Sequence, residues 1–388
     1  MIMQILSNIA NFNISKIATI KNEYQNRALL PKVGIDAVSF GANVNYKKSK
    51  SIYSTLDRAD RVGILVHKDV DADALSSGIL FLNLLKRRYK GKNKDVQFII
   101  NQKIPKYLAN IPGLSEITQY KDLKNKNFDA VVVLDCDETR VACYDILKNA
   151  NAKINIDHHK NREINPLFSK NLRILDSDAV STTQVIYDNL FLPFGIWPNK
   201  TMMECIMTGI ITDTGNFKNV PDSEKFSKSM KSLAQYTNVP LSVLVNKINN
   251  KFDVSKQRSK ELENLFTNIV EYGENLNTYI TPNNKRVNYI LINQELLNKY
   301  NVKDDESDIK ETLSHIAANY RSKADIVATL WERKNGDIRL SMRSNNIDVL
   351  SIAEEFGGGG HKLAAGATVS SDFNEALEKV IQVIDKNC

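Results

Sequence analysis

Four short segments of the chain carry aspartate and histidine side chains of the types that ligate metal ions. They contain, in chain order, His67, Asp71, Asp73, Asp135, Asp157, His158, His159 and Asp213. The first three segments directly follow short apolar runs that are typical of buried strands. Because loops at the carboxyl ends of parallel strands collect at one edge of an open sheet, we expect these side chains to meet.

Each segment by itself has a simpler explanation. Asp71 or Asp73 could only cap the helix that follows, because aspartate is a favoured N-cap residue. Asp135 could be a turn residue, and the Asp157-His158-His159 stretch could be a solvated loop. Yet four of the five histidines of the chain fall in chemistry-bearing motifs, and three of them share the predicted sheet edge with several carboxylates. This concentration favours a metal site.

The ligand types indicate which ions would bind. Carboxylates and imidazoles without thiolates suit Mn²⁺ or Mg²⁺, tolerate Co²⁺ or Fe²⁺, and argue against structural zinc. Cys136 follows Asp135, and in an extended chain its side chain would point to the opposite side, so we do not expect it to be a ligand. The carboxylates outnumber what one ion needs, which predicts two ions that share a bridging aspartate. Such a pair activates water and stabilises a phosphoryl group during in-line displacement.

The elements that position these residues alternate between strand and helix. Apolar runs predict strands at residues 62–66, 96–100, 130–134 and 153–156. Helical spacing of apolar residues predicts helices at residues 71–89, 140–149, 182–192, 201–211 and 223–236. Strands that are apolar throughout and alternate with helices are typical of a parallel sheet covered by helices on both faces. The predicted fold class of this part is therefore α/β.

The pattern changes to half-exposed strands near residue 272. Strands are predicted at residues 278–281, 287–292, 325–331 and 338–342, and helices at 307–318, 349–356 and 374–385. These elements predict a smaller C-terminal α+β domain, with the active-site cleft between the two domains. The expected divisions are an N-terminal extension of unknown role at 1–50, a metal-binding catalytic domain at 51–245, a helical linker at 246–271 and the second domain at 272–388. We expect the linker to be one long amphipathic helix.

The second domain carries an anion-binding pattern of its own. Ser341-Met342-Arg343-Ser344 ends a predicted strand, and four consecutive glycines at 357–360 precede His361. Glycine lets backbone N–H groups approach an anion closely, and a helix that starts near His361 would add its positive end. Taken alone, four glycines in a row are more often a flexible turn.

Composition sets the outer limits on function. The chain has 388 residues, 42% of them hydrophobic and 25% charged, which is typical of a globular protein. Its net charge of +7 indicates either a lysine-rich solvated surface or a surface that attracts anionic substrates. Four scattered cysteines without a CxxC pair argue against a zinc knuckle or a disulfide framework and favour a reducing cytoplasm. No apolar segment approaches the roughly 18 residues of a membrane span, so we expect a soluble protein without a membrane partner.

The ordered series HxxxDxD, D, DHH and TDTG resembles the DHH superfamily of phosphoesterases, and the resemblance extends from Leu56 to the C-terminus. It implies that His67 and Asp71 hold one ion and that Asp73 and His158 hold the other. Asp135 and Asp213 would hold or bridge both ions. It also implies that His159 contacts phosphate or tunes the bridging water, so that Asp135 and His159 are the implied catalytic residues.

Two positions depart from the family pattern. Val70 stands where many relatives have proline, and Asp69 is an additional acid that makes the register ambiguous. The spacings of four and six residues from His67 favour Asp71 and Asp73 as the ligands.

The second-domain series SxRS…GGGGHxxAAG resembles the DHH-associated C-terminal domain, which closes over the metal site and holds the substrate. The implied substrate-binding residues are Arg343, Ser344, Gly358, Gly359, Gly360 and His361. Arg343 and His361 would bind the phosphate or nucleotide end that is not cut. Residues 178–183 also resemble a Ser/Thr segment that precedes a helix in these enzymes. We predict Ser181 mainly as the cap of that helix, with substrate contact as the lesser alternative.

Within the superfamily, the pattern resembles most closely the stand-alone enzymes that hydrolyse nanoRNA, which is oligoribonucleotides a few residues long, and 3′-phosphoadenosine 5′-phosphate (pAp). The implied cofactor is two Mn²⁺ ions, with Mg²⁺ or Co²⁺ as alternatives. The implied partners are short single-stranded RNA or small nucleotides in the cytoplasm, and whether the enzyme is a homodimer stays open.

Other functions fit the sequence less well. Soluble cyclic-di-AMP or pApA phosphodiesterases of the same two-domain plan are the main alternative. A processive exonuclease of the superfamily would be expected to have additional length. A catalytically inactive nucleotide-binding module would have lost at least one ligand, whereas all six ligand positions are intact. A dehydrogenase would show GxGxxG after the first strand, which this chain does not.

Overall fold

The computed structural model describes residues 44–159, 166–217, 220, 223–236, 240–251 and 258–388. These residues form two compact units. The first lies within Met1–Ile104 and Leu108–Phe252, and the second lies within Pro105–Tyr107 and Asp253–Cys388. Most of the predicted N-terminal extension lies outside the described residues.

The first unit is built on a six-stranded sheet in which every pair of neighbouring strands is parallel. The strands are β1 (Arg61–Leu65), β2 (Asp95–Ile100), β3 (Ile117–Gln119), β4 (Ala130–Leu134), β5 (Ala152–Asp157) and β6 (Arg173–Leu175), in the spatial order β3-β2-β1-β4-β5-β6. Every residue of β4 is buried, as expected of a central strand covered on both faces. The predicted α/β class with a parallel sheet is confirmed.

The strand order reverses at the middle of this sheet. β1 pairs with β2 on one side and with β4 on the other. Such a switch point leaves a crevice at the carboxyl edge, because the connections from the two neighbours leave in opposite directions. The loops after β1, β4 and β5 start at this edge, and they carry most of the predicted ligands.

Seven helices in the described part of the first unit accompany the sheet. They are α1 (Val44–Arg58), α2 (Ala72–Arg88), α3 (Tyr144–Asn149), α4 (Thr182–Ile186), α5 (Lys200–Asp213), α6 (Glu224–Tyr236) and α7 (Leu241–Lys251). α1 packs firmly on the unit, because Tyr53 is buried and its hydroxyl donates to Leu190 O at 2.6 Å. The division expected at residue 50 therefore falls inside a helix.

The predicted helix at 182–192 is only partly α-helical. It continues from α4 as a π-helix over Tyr187–Phe191 and a 3₁₀ turn over Leu192–Phe194. Pro193 in the last turn cannot donate a helical hydrogen bond, which favours the end of the helix there. Among all helices of the described residues, none is both long and apolar enough to cross a lipid bilayer.

The second unit contains a six-stranded sheet in the order β11-β12-β10-β9-β8-β7. Its strands are β7 (Leu276–Ile280), β8 (Arg286–Ile292), β9 (Ile326–Glu332), β10 (Ile338–Ser344), β11 (Gly359–His361) and β12 (Ala364–Val369). Its helices are α8 (Lys260–Tyr272), α9 (Gln294–Lys299), α10 (Glu306–Tyr320), α11 (Val349–Glu354) and α12 (Phe373–Asn387). β8 and β9 are parallel and the other pairs are antiparallel. The predicted smaller α+β domain is confirmed.

The prediction of one long linker helix is wrong. Ser259 has an extended backbone and its hydroxyl accepts a hydrogen bond from Leu262 N at 3.0 Å, so a new helix begins at Lys260. The preceding helix, α7, extends to Lys251, and residues 252–257 lie outside the described part of the chain.

The expected helix near His361 is also wrong. Gly359–His361 forms strand β11, which pairs antiparallel with β12. Glycine and alanine have low strand propensity, so the local sequence does not predict this hairpin. Pairing of β12 with β10 fixes it instead.

Candidate metal centre

His67 follows β1 and is almost completely buried, with 2% of its surface exposed. Its loop is held in place by the segment before α3, where Ala142 N donates to Val66 O at 3.0 Å. The ring atom Nδ1 lies 2.5 Å from Lys68 O, a carbonyl that can bond only to a protonated Nδ1. In the neutral ring Nε2 is then the lone-pair nitrogen, which is the tautomer that a metal ligand needs.

Asp71 uses its two carboxylate oxygens differently. Oδ1 accepts a hydrogen bond from Ala74 N at 2.9 Å and so caps α2. Oδ2 lies 3.5 Å from Nε2 of His67. Asp71 can therefore cap the helix with one oxygen and serve as a metal ligand with the other.

Asp135 follows β4 with a left-handed backbone, φ 63°, which aspartate tolerates better than most residues. Its carboxylate is buried, with 1% of the side chain exposed. Oδ2 lies 3.5 Å from Nε2 of His67, and Oδ1 lies 3.5 Å from Nε2 of His158. The two oxygens thus face two different imidazoles, which is the arrangement required of a bridging carboxylate.

The chain is not extended at this point, so the reason given for excluding Cys136 as a ligand is wrong. The surroundings of the Cys136 side chain nevertheless argue against a ligand, because burial raises the pKa of its thiol well above the usual range. It is buried in an apolar cluster with Val131, Val133 and Leu147.

Asp73 lies in the first turn of α2 and is fully buried. Its Oδ2 accepts a hydrogen bond from Thr182 N at 2.6 Å, and its Oδ1 accepts one from Thr183 N at 3.2 Å. These amides start α4 and have no partner within their own helix. The two bonds offset part of the cost of burying this carboxylate.

The DHH segment contributes two imidazoles in different settings. His158 is buried and its Nε2 lies 3.2 Å from Asp213 Oδ2. His159 is only half-buried, and its Nδ1 bonds to Asp157 Oδ1 at 2.8 Å. An ionised carboxylate can only accept, so Nδ1 of His159 carries a proton and donates it to this bond.

Within the described part of the first unit, three groups of side chains have ligand atoms within 4.8 Å of one another. They are His67 with Asp71 and Asp135, Asp73 with Asp135 and His158, and Asp135 with Asp157 and His159. Asp213 joins the second group through its contact with His158. The structure therefore brings all six predicted ligands together. Asp69, the additional acid, is exposed and its backbone N–H bonds to Gln102.

The electrostatics of the cluster favours bound cations. Burial lowers the pKa of His67, but the carboxylates of Asp71 and Asp135 outweigh it and raise this pKa to about 10. Burial raises the pKa of Asp73 well above its usual range, and the neighbouring Asp135 and Asp213 raise it further. Burial likewise raises the pKa of Asp213 to about 6, although His158 opposes the shift. A cation relieves such repulsion, and the oxygen and nitrogen donors fit Mn²⁺ or Mg²⁺.

Sequence reasoning missed three features of this centre. Asp157 orients His159, and Thr182 binds two of the predicted ligands, with its hydroxyl donating to Asp135 Oδ1 at 2.8 Å. Gly209 makes room for Asp73, because a Cβ at this position would lie 2.1 Å from Asp73 Oδ1. The only local signal was the Ser/Thr segment. The predicted cap within it is confirmed, since Ser181 Oγ accepts from Gln184 N.

The predicted substrate-binding residues lie in the second unit. Arg343 and His361 both pair with Ala364, one from β10 and the other from β11. Residues paired directly across neighbouring strands share a face of the sheet, so Arg343 and His361 lie in one row on one face. The Arg343 guanidinium is oriented by bonds to Ser314 Oγ at 2.7 Å and Met342 O at 2.9 Å.

Most of the other predicted substrate-binding residues have little free space around them. Ser344 is buried, and its hydroxyl oxygen accepts two backbone N–H groups of the following turn. A Cβ on Gly358 would lie 2.3 Å from Gly366 O, and one on Gly360 would lie 2.6 Å from Ala364 O. Both glycines are therefore needed for close packing of the hairpin. At Gly359, by contrast, a Cβ would meet no described atom within 4 Å.

Comparison with known proteins gives consistent matches. Residues 61–210 match the family described as DHH family, N-terminal domain, and residues 293–386 match the DHHA1 domain. The Bacillus subtilis (strain 168) protein named bifunctional oligoribonuclease and PAP phosphatase NrnA is 26% identical over 334 residues, which cover 84% of this chain and 94% of the relative. The protein of the same name from Thermus thermophilus is 24% identical over 323 residues, which cover 83% of this chain and 88% of the relative.

A solved structure supports the same fold. The crystal structure of an exopolyphosphatase-related protein from Bacteroides fragilis matches with a TM-score of 0.66 at 23% identity, covering 87% of this chain and 96% of that one. At this identity the match shows the fold. The family matches lead to one conclusion, with which the two long relatives agree: the chain carries a DHH family N-terminal domain at residues 61–210 and a DHHA1 domain at residues 293–386.

Proposed function

We propose that this phosphoesterase hydrolyses short oligoribonucleotides and pAp at a centre of two metal ions. The observation that carries the proposal is the placement of Asp135, whose two oxygens each lie 3.5 Å from a different histidine, His67 and His158. One carboxylate between two ligand groups suits a pair of ions that lie about 3.5–4 Å apart. The substrate class comes from the relatives named oligoribonuclease and PAP phosphatase.

We assign the six candidate ligands to two ions that share Asp135. His67 and Asp71 complete one site, and Asp73, His158 and Asp213 complete the other. Carboxylates with neutral imidazoles favour Mn²⁺, with Mg²⁺ or Co²⁺ as substitutes. When bound, such ions supply Lewis-acid stabilisation of a phosphoryl group and lower the pKa of water.

The chain's own side chains would orient the substrate. Asp157 accepts a hydrogen bond from Nδ1 of His159 and orients the ring, so a protonated Nε2 would donate to a phosphate oxygen of the substrate. In the second unit, Arg343 and His361 would bind a terminal phosphate, because guanidinium groups form paired hydrogen bonds with phosphate oxygens. A phosphate group could also approach the backbone closely at Gly359, where a Cβ would meet no described atom within 4 Å.

We also propose a cytoplasmic location. No disulfide joins Cys136, Cys143, Cys205 and Cys388, which all lie in the described part of the chain, and the first three are buried. Buried thiols without disulfides are typical of proteins that work in a reducing compartment.

A substrate panel tests the proposed function. With Mn²⁺, the purified protein is expected to hydrolyse pAp and RNA dinucleotides and trinucleotides faster than long RNA and faster than cyclic-di-AMP. The measurement is kcat/KM for each substrate under the same conditions. A clear preference for cyclic-di-AMP, or no hydrolysis of any short nucleotide by protein with its metal bound, would contradict the proposal.

Arg343→Ala is expected to lower kcat/KM about 10- to 100-fold for substrates with a 5′-phosphate, because a hydrogen bond to a charged group contributes roughly 1.5–3 kcal/mol. Mn²⁺ affinity should not change, since all six candidate ligands lie in the first unit. The loss should shrink for the same oligonucleotide without its 5′-phosphate, where the contact is missing in both proteins.

Arg333→Ala is the matched control for this experiment. It removes another guanidinium of the second unit, one that is paired with Glu306. We expect little change in kcat/KM with either substrate. Equal losses for Arg343→Ala with and without the phosphate would rule out the assigned role.

A further inference from the structure

Thr182 touches two candidate ligands that come from different parts of the chain. Its hydroxyl donates to Asp135 Oδ1 at 2.8 Å, and its backbone N–H donates to Asp73 Oδ2 at 2.6 Å. The residue is fully buried. One residue thus joins the carboxylate that follows β4 to the carboxylate in the first turn of α2.

Thr182 is itself held from both sides. Ser181 Oγ accepts a hydrogen bond from Gln184 N at 3.2 Å, and Gln184 Oε1 accepts one from Val180 N at 2.9 Å. These bonds fix the turn at the start of α4 without using any candidate ligand. The Thr182 hydroxyl is therefore presented from a rigid position.

Asp73 is confined on its other side as well. A Cβ on Gly209 would lie 2.1 Å from Asp73 Oδ1 and 2.2 Å from Thr183 Oγ1, so helix α5 approaches as closely as a glycine allows. Thr183 N donates to the same Oδ1 at 3.2 Å. The Asp73 carboxylate has little freedom to rotate, and its position relative to Asp135 depends on the start of α4.

We propose that Thr182 is a positioning residue that fixes Asp73 relative to Asp135 and thereby sets the separation of the two ion sites. This inference rests on the metal centre of the proposed function. A carboxylate oxygen has two acceptor positions, so the bond from the hydroxyl to Asp135 Oδ1 leaves one for an ion. Groups that orient metal ligands in this way commonly change metal affinity when they are replaced.

The test compares three variants of the full-length protein by titration with Mn²⁺. Thr182→Val removes the hydroxyl but keeps the branched shape and the backbone N–H, and Thr182→Ser restores the hydroxyl. Thr208→Val is the matched control, because Thr208 is also a buried helical threonine but its hydroxyl bonds to Glu204 O. Calorimetry, or the electron paramagnetic resonance signal of unbound Mn²⁺, gives the dissociation constants.

We expect Thr182→Val to bind Mn²⁺ about 10- to 100-fold more weakly, with Thr182→Ser close to the wild type and Thr208→Val unchanged. If Thr182→Val does not fold, Thr182→Ala serves as the second variant, since it also keeps the amide and loses the hydroxyl. Wild-type affinity in a folded variant without the hydroxyl, or an equal loss in Thr208→Val, would overturn the inference.

The titration needs no substrate, so its outcome is separate from that of the substrate panel. Tight Mn²⁺ binding by the wild type without hydrolysis of short nucleotides would overturn the proposed function alone, and the comparison of Thr182 variants would still stand. A wild-type protein that binds no Mn²⁺ would overturn both.

Discussion

Asp135→Asn is expected to lower kcat/KM by a factor of about 1,000 or more while the protein still folds. Charge stabilisation by bound ions amounts to several kcal/mol, and each 1.36 kcal/mol corresponds to a tenfold change in rate. The substitution removes the negative charge shared by both proposed ion sites. Asparagine tolerates the left-handed backbone at this position and can still accept the hydrogen bond from Thr182. Steady-state kinetics and thermal unfolding measure the two effects.

The metal-free variant should have nearly the same stability as the metal-free wild type, because two effects oppose each other. In the wild type, Asp135 raises the pKa of the buried Asp73 through repulsion between the two carboxylates, and the substitution relieves that repulsion. Asp135 also raises the pKa of His67 through attraction, and the substitution removes that attraction. The added stability that Mn²⁺ gives the wild type should, however, disappear.

Cys136→Ser is the neighbouring control for Asp135→Asn. Cys136 is buried in the apolar cluster, so its replacement costs some stability but leaves the ligands in place. Activity per folded molecule should stay close to that of the wild type. Comparable losses of activity in the two variants would show that the ligand assignment is wrong.

Removal of metal by a chelator is expected to abolish hydrolysis, and added Mn²⁺ should restore it. The candidate centre offers carboxylates and imidazoles. Burial raises the pKa of the neighbouring Cys136 thiol well above the usual range, so this thiol is not a reactive nucleophile.

Removal of metal by the chelator should also lower the melting temperature. At a free Mn²⁺ concentration about 100 times the dissociation constant, each ion stabilises the fold by about 2.7 kcal/mol. For a unit of roughly 200 residues, this corresponds to a shift of about 5–10 °C.

The chelation experiment has a clear opposite outcome. Undiminished hydrolysis in excess chelator, by protein shown to be free of metal, would rule out a catalytic centre of two metal ions. Asp135→Asn again serves as the comparison, because its melting temperature should respond little to Mn²⁺.

Sequence patterns were sufficient for the elements that have a strong local signal. The run at Ala130–Leu134 is apolar throughout and forms the central strand β4, and alternation in residues 338–342 correctly predicted most of β10. The three-residue strands β3 and β6 were missed because they are too short to show a period. β11 and β12 were missed because neighbouring strands, and not their own glycines and alanines, determine their conformation.

The same distinction applies to the candidate site. Residue types and their position after strands indicated six ligands, and parallel-sheet topology brings these residues together. Thr182 could not be identified in this way, because its bond to Asp135 spans 47 positions and its bond to Asp73 spans 109. The close contact between Gly209 and Asp73 likewise depends on how helices α5 and α2 pack against each other. Contacts of this kind appear only when the chain is folded.

All candidate ligands lie between His67 and Asp213, inside the first unit, which ends at Phe252. During translation, the complete ligand set therefore leaves the ribosome before the sheet of the second unit has been made. N-terminal domains generally fold first as a chain is synthesised. An ion that binds only the folded form can then stabilise the first unit while the rest is still being added. Acquisition of metal can thus be an early step in the biogenesis of this protein, ahead of the groups proposed to hold its substrate.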